Sequence, residues 1–223
     1  MRAAVVVFPG SNCDLDTHYV LKDLLRIETE LLWYRETDLK DYDLIVLPGG
    51  FAYGDYLRAG AIARFAPVVQ ALVEYVERGR GLVLGICNGF QILTEAGLLP
   101  GALAPNLGRK FLCKTVKLRV ENAYTPLTRL CREGELIELP IAHGEGRYVA
   151  PPETLAKLKS NRQILFTYHG ENPNGSLESI AGIMDETGTV FGMMPHPERN
   201  CERLLGTGDG LKLLQGMVEE VLA

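Results

Sequence analysis

The chain has 223 residues, 47% of them hydrophobic and 23% charged, with 23 basic against 28 acidic side chains and a formal net charge of −5. That composition supports a sizeable apolar core, and the length is that of one α/β domain spanning residues 1–223. The acidic balance and the absence of a basic block argue against a nucleic-acid partner, and the longest apolar runs, "AAVVVF" and "LVLGI", are too short for a membrane helix.

The amino terminus, "MRAAVVVFPG", meets a turn signal too soon for a secretory leader. The five cysteines (Cys13, Cys87, Cys113, Cys131 and Cys201) are scattered and form no C-x-x-C pair. Neither a disulfide framework nor a structural zinc site is expected, and a reducing cytoplasm suits them.

The first hundred residues alternate between two patterns. "AAVVVF" (3–8) is a continuous apolar run closed by Pro9-Gly10, and "DLDTHYVLKDLLRI" (14–27) repeats its apolar residues at helical spacing. "ELLWY" (30–34) and "DLIVLPGG" (43–50) read as strands, residues 59–79 as one long helix or two joined near Pro67, "GLVLGI" (81–86) as a strand and "NGFQILTEAGLL" (88–99) as a helix. Strands that are apolar on both faces and separated by helices predict a doubly wound, mostly parallel open sheet. After Gly101 the rhythm changes. Partial alternation in 110–122 and 134–149, with further strand patterns at 163–169, 179–185 and 189–198, predicts an antiparallel or mixed extension of that sheet; a last helix covers "GDGLKLLQGMVEEVL".

Three segments hold the chemistry. Gly85-Ile86-Cys87-Asn88-Gly89 has the G-x-nucleophile-x-G spacing of a strand-to-helix elbow, in which small flanking residues permit the tight turn. Such a turn sets Cys87 at a helix N-terminus, where free N–H groups favour a thiolate and the Asn88 N–H is one oxyanion donor. The pentapeptide equally fits a buried cysteine between packing glycines. Of the four histidines, His18 and His169 read as structural and His143, in "IAHGEGRY", takes second rank. His196 stands out in "MMPHPE": flanking prolines hold it extended, and Glu198, two residues on, points the same way and can orient the imidazole. By itself Pro-His-Pro-Glu is a rigid surface turn; beside an elbow thiol it supplies a base. "LPGG" (47–50) ends a parallel strand at the same sheet edge, and Gly50 is the candidate second oxyanion donor. No phosphate loop, dinucleotide fingerprint or H-E-x-x-H cluster occurs, so neither ATP nor a metal is expected on this chain.

Carried by "LPGG", "GICNGFQIL" and "PHPE" in that order, the chain resembles the class I (triad) glutamine amidotransferases. "FPGSNCDLD", "GGFAYGDYLRAGAIAR", "AHGEGRY" and "NPNGS" make it most similar to the glutaminase subunits of that family that serve purine biosynthesis. The resemblance implies a flavodoxin-like fold. It implies that Cys87 attacks the side-chain amide of glutamine, that His196 braced by Glu198 moves the proton, and that the N–H groups of Gly50 and Asn88 hold the oxyanion. Gln91 matches a substrate-binding glutamine. The backbone at Ala142 and His143 aligns with the loop for the amino-acid head group, although many members have Ser-His where this chain has Ala-His. Ammonia would pass to a large synthetase subunit that binds ATP, Mg²⁺ and formylglycinamide ribonucleotide, often beside a small third subunit. The alternatives are another elbow-cysteine hydrolase of similar fold and a catalytically silent regulatory module.

Overall fold

A computed structural model of the chain describes residues 1–79 and 81–222. β1 (Arg2–Val7), β2 (Glu28–Trp33), β3 (Leu44–Leu47), β4 (Leu82–Ile86) and β11 (Val190–Met193) form the parallel half of a nine-stranded sheet. The antiparallel half holds β10 (Ile180–Met184), β9 (Ile164–Tyr168), β6 (Leu112–Val120) and β7 (Leu136–His143), giving the order β2-β1-β3-β4-β11-β10-β9-β6-β7. The parallel half follows the 2-1-3-4-5 order of flavodoxin-like sheets, with β11 in the fifth place. β5 (Ala102–Ala104) and β8 (Arg147–Val149) pair as a separate two-stranded sheet.

Side-chain pattern accounts for strand position. β3, β4 and β11 are buried at every residue, as strands covered on both faces must be, whereas β7, at the sheet edge, alternates buried residues with half-buried or exposed ones. The helices are α1 (Asp14–Tyr19), α2 (Pro67–Glu77), α3 (Asn88–Glu95), α4 (Pro152–Ser160) and α5 (Asp209–Leu222). α1 lies against β1 and β2, α3 against β3, β4 and β11, and α5 against β7.

Several sequence expectations change in detail. The helical pattern of residues 14–27 is α-helical only to Tyr19; Val20–Leu24 is a π-helical turn, and the chain leaves it at Arg26 with φ of 60° so that β2 can begin at Glu28. Residues 59–79 divide as the proline requires: a 3₁₀ turn at Ala63–Phe65, then α2 with Pro67 in its first turn, where no hydrogen-bonded N–H is lost. α4 and the β5–β8 pair escaped the sequence reading. The strand at 189–198 is shorter than its pattern, because after Met193 the chain turns out of the sheet toward Pro195. No helix among the described residues is long and apolar enough to cross a membrane.

Candidate active site

β4 passes into α3 through one residue, Cys87, at φ 51° and ψ −102°. Its N–H donates to the Met193 carbonyl (2.7 Å) and its carbonyl accepts the first helical bond, from Gln91 N–H (3.1 Å). The elbow is built on absent side chains: a Cβ on Gly89 would stand 1.9 Å from the Leu47 carbonyl oxygen, and one on Gly85 would stand 2.6 Å from the Gly89 carbonyl carbon. The thiol does not stand open above the sheet edge, as a bare elbow suggests. It is 4% exposed, and the Ala142 carbonyl at the end of β7 lies 3.7 Å from its sulfur.

His196 is 2% exposed and is tethered by its N–H to the Pro140 carbonyl (2.9 Å). Its Nδ1 lies 2.6 Å from Glu198 Oε1. The expected extended tripeptide is not what makes this contact: Pro197–Arg199 is a 3₁₀ turn, and it carries the carboxylate back to Nδ1 of the ring. Burial opposes the imidazolium charge, but the Glu198 carboxylate and the nearby Cys87 and Cys13 thiols hold the His196 pKa well above its ordinary value. The thiol of residue 87, from the elbow, is thus brought to the imidazole of 196 and the carboxylate of 198, which share one turn far along the chain.

The "LPGG" loop reaches this group in a way the sequence did not indicate. A Cβ on Gly49 would lie 2.5 Å from His196 Cε1, so the ring packs directly on bare backbone. The Gly49 carbonyl accepts from the N–H groups of Asn12 (3.2 Å) and Cys13 (3.1 Å), which fixes the peptide plane and turns the Gly50 N–H to its opposite side.

A polar network lies beside the elbow. The Ala52 N–H donates to Asn88 Oδ1 (2.9 Å), and Asn88 Nδ2 donates to Gln91 Oε1 (2.9 Å) and Asp55 Oδ1 (3.3 Å). Gln91 Nε2 donates to the Glu145 carbonyl (2.6 Å), and the Glu145 carboxylate accepts the Ala59 N–H (3.1 Å). Burial and the neighbouring Glu145 charge push Asp55 up to about 6. Gln91 therefore joins the elbow to the 142–146 loop. His143 is buried in that loop: Nδ1 lies 3.0 Å from Asn106 Oδ1, Gly146 leaves room for the ring, and burial pushes its pKa down to about 4. His18 is occupied with the Thr29 carbonyl (3.2 Å), and His169 lies in the exposed segment after β9.

Sequence reasoning missed Asp55, Glu145 and Cys13, and read Gly49 only as bare backbone beside Gly50, not as the seat of the imidazole. Asp55 and Glu145 sit in segments that stand out in the sequence, without a spacing rule to separate them from their neighbours. Cys13 carried only the weak signal of "SNCD" after the first strand, yet its sulfur, an imidazole nitrogen of His196 and a Glu198 carboxylate oxygen all lie within 4.8 Å of one another.

An elbow thiol and a carboxylate-braced imidazole at the carboxyl edge of a flavodoxin-like sheet define a class of cysteine-dependent amide-processing proteins. Residues 1–207 match the model of the CobB/CobQ-like glutamine amidotransferase domain, and the chain belongs to that family. More particularly, it is 58% identical, over all of its length and 99% of the relative's, to "Phosphoribosylformylglycinamidine synthase subunit PurQ" of Trichormus variabilis. It is 57% identical to the protein of the same name from Synechococcus elongatus, with both chains fully covered. Among solved structures, a chain of "Structure of PurLQS from Thermotoga maritima" superposes with a TM-score of 0.90 at 47% identity, covering 99% of this chain and 98% of that one.

Proposed function

We infer that this chain is the glutaminase subunit of a phosphoribosylformylglycinamidine synthase, releasing ammonia from glutamine for purine biosynthesis. The observation that carries this reading is the meeting of Cys87, His196 and Glu198 in a chain that matches subunits of that name from end to end.

The chemistry follows from the geometry. The Cys87 sulfur attacks the amide carbon of glutamine while its proton passes to His196, and the carbonyl π pair moves onto oxygen. The Gly50 and Asn88 N–H groups hold that oxyanion. Glu198 stabilises the imidazolium, which then protonates the departing nitrogen as the C–N bond breaks. A γ-glutamyl thioester remains. Water, giving a proton to His196, attacks it; as the C–S bond breaks the imidazolium returns that proton to the sulfur, and glutamate leaves. Gln91 and the backbone at Ala142 and His143 hold the head group of the substrate. The Ala142 carbonyl at the end of β7 lies against the thiol, and Gln91, on α3, bonds the adjoining loop at Glu145; both positions support that assignment.

Ammonia is mostly protonated in neutral water and is a poor nucleophile in that form, so it is best handed over directly. We assign the acceptor chemistry, with its ATP and Mg²⁺, to a large synthetase subunit that amidates formylglycinamide ribonucleotide, with a small third subunit completing the complex. The PurLQS match supports a multisubunit assembly. The free state of all five cysteines suits a reducing, cytoplasmic setting.

The test is to measure glutamate release from glutamine with and without the synthetase subunit, and amidation of the ribonucleotide in the complex. Turnover that depends on Cys87, and disappears in Cys87→Ala, is expected. A folded complex that forms no glutamate overturns the reading.

A further inference from the structure

We propose that Cys13, His196 and Glu198 form a zinc-binding site that shares the imidazole of the active site, so that Zn²⁺ seated there silences the glutaminase. The three side chains are buried, and one ligand atom from each lies within 4.8 Å of the other two. Sulfur, nitrogen and carboxylate oxygen are the donor set that zinc takes, and the thiolate disfavours Mg²⁺ or Ca²⁺. Zinc–ligand bonds of about 2.0–2.3 Å place tetrahedral neighbours about 3.3–3.7 Å apart. The present spread therefore needs only small adjustments, with the Nδ1–Glu198 hydrogen bond opening to admit the ion and water completing the tetrahedron.

Two observations make this more than a chance cluster. Cys13 and the imidazole are packed against the same bare glycine: a Cβ on Gly49 would lie 2.5 Å from His196 Cε1 and 3.4 Å from Cys13 Sγ, and the Cys13 N–H is held by the Gly49 carbonyl. And Glu198, with its side chain fully buried, has only one oxygen engaged: Oε2 has no hydrogen-bond partner among the described residues. A buried carboxylate oxygen without a donor is costly, and a cation satisfies it. Glu198 also lines a cleft of about 590 Å³ with Asp16, Glu138, Glu202 and Arg199, an acidic approach.

Coordination stops turnover whichever imidazole nitrogen binds. A metal on Nδ1 forces the proton onto Nε2, which then cannot accept the Cys87 proton; a metal on Nε2 occupies the base directly. This consequence rests on the glutaminase reading, whereas binding itself is measured without turnover. The probe is Zn²⁺ alone, titrated calorimetrically into chelator-treated full-length chain carrying Cys113→Ser, which removes the exposed thiol. One bound ion is expected. Cys13→Ala is expected to weaken it by at least about tenfold, as loss of a metal-site group does; Cys87→Ala is expected to bind as before. If Cys13→Ala does not fold, Co²⁺ added to Cys87→Ala decides: a thiolate-to-cobalt charge-transfer band supports the site, and its absence refutes it. Affinity indifferent to Cys13→Ala, or lost in Cys87→Ala, overturns the proposal. Inhibition of glutamate release by Zn²⁺, reversed by chelator and blunted in Cys13→Ala, tests the consequence separately.

Discussion

Cys87 stands at φ 51° and ψ −102°, a conformation that costs a residue with a Cβ about 1–3 kcal/mol. The helix and strand on either side hold it there. Glycine adopts that conformation freely, so Cys87→Gly is expected to be more stable than Cys87→Ala by about 1 kcal/mol, although neither retains a thiol. Equilibrium urea unfolding of the two variants measures the difference, and an alanine variant that is the more stable would show that the elbow is unstrained. Glu198 makes a different kind of contribution, because its charge holds the imidazolium. Glu198→Gln keeps an acceptor for Nδ1 but removes the charge. Its kcat for glutamine hydrolysis is expected to fall on the order of 10²–10⁴-fold with little change in KM, the pattern of an interaction needed in the transition state. Steady-state assays in the assembled complex read it; a loss confined to KM would assign Glu198 to substrate binding instead.

The elbow depends on elements pressed closer than side chains allow. α3 begins where β4 ends, and its first turn rests on the end of β3 at Gly89. The atom that a Gly89 Cβ would strike is a backbone oxygen 1.9 Å away, which no rotamer change can move. Gly89→Ala is therefore expected to destabilise the fold by about 3 kcal/mol or more, the upper range for overpacking, as a shift in the midpoint of denaturant unfolding. A shift near zero would mean that α3 slides freely on the sheet. Elements with a strong pattern were legible in the sequence: the apolar strands of the parallel half, the elbow, α2 after Pro67 and α5. α4 was not, because "PPETLAKLKS" carries only two large apolar residues and buries only Leu158. Nor was β5, three residues long and too short to display a period, while β8 fell within the strand pattern of 134–149 without any sign that it separates from β7.

Across the whole molecule, pH acts through groups that burial has shifted. His143 is held near 4 in the folded chain, against about 6.5 for an exposed imidazole. Between those values the unfolded chain binds a proton that the folded chain refuses. Its contribution to stability is complete above about pH 6.5 and is lost as pH falls toward 4, by about 3 kcal/mol at most. His196, raised by its partners, acts with the opposite sign, its stabilisation being lost as pH rises through its folded value. The two are separated by comparison: His143→Gln is expected to flatten the decline in unfolding free energy between pH 6.5 and 4 relative to the unaltered chain. An unchanged slope would locate the acid sensitivity elsewhere.

The sequence by itself determined the doubly wound class and the identity of the chemical groups. Both are written locally, as runs of apolar residues of strand and helix length, as glycines flanking a cysteine and as prolines flanking a histidine. Only the tertiary structure decided that β11 lies between β4 and β10, which carries His196 to the elbow, and that Gly49 lets the ring settle on bare backbone beside Cys13. Those relations join residues far apart in the chain. They are set by which surfaces pack and which backbones approach without a Cβ between them, and no local pattern records them.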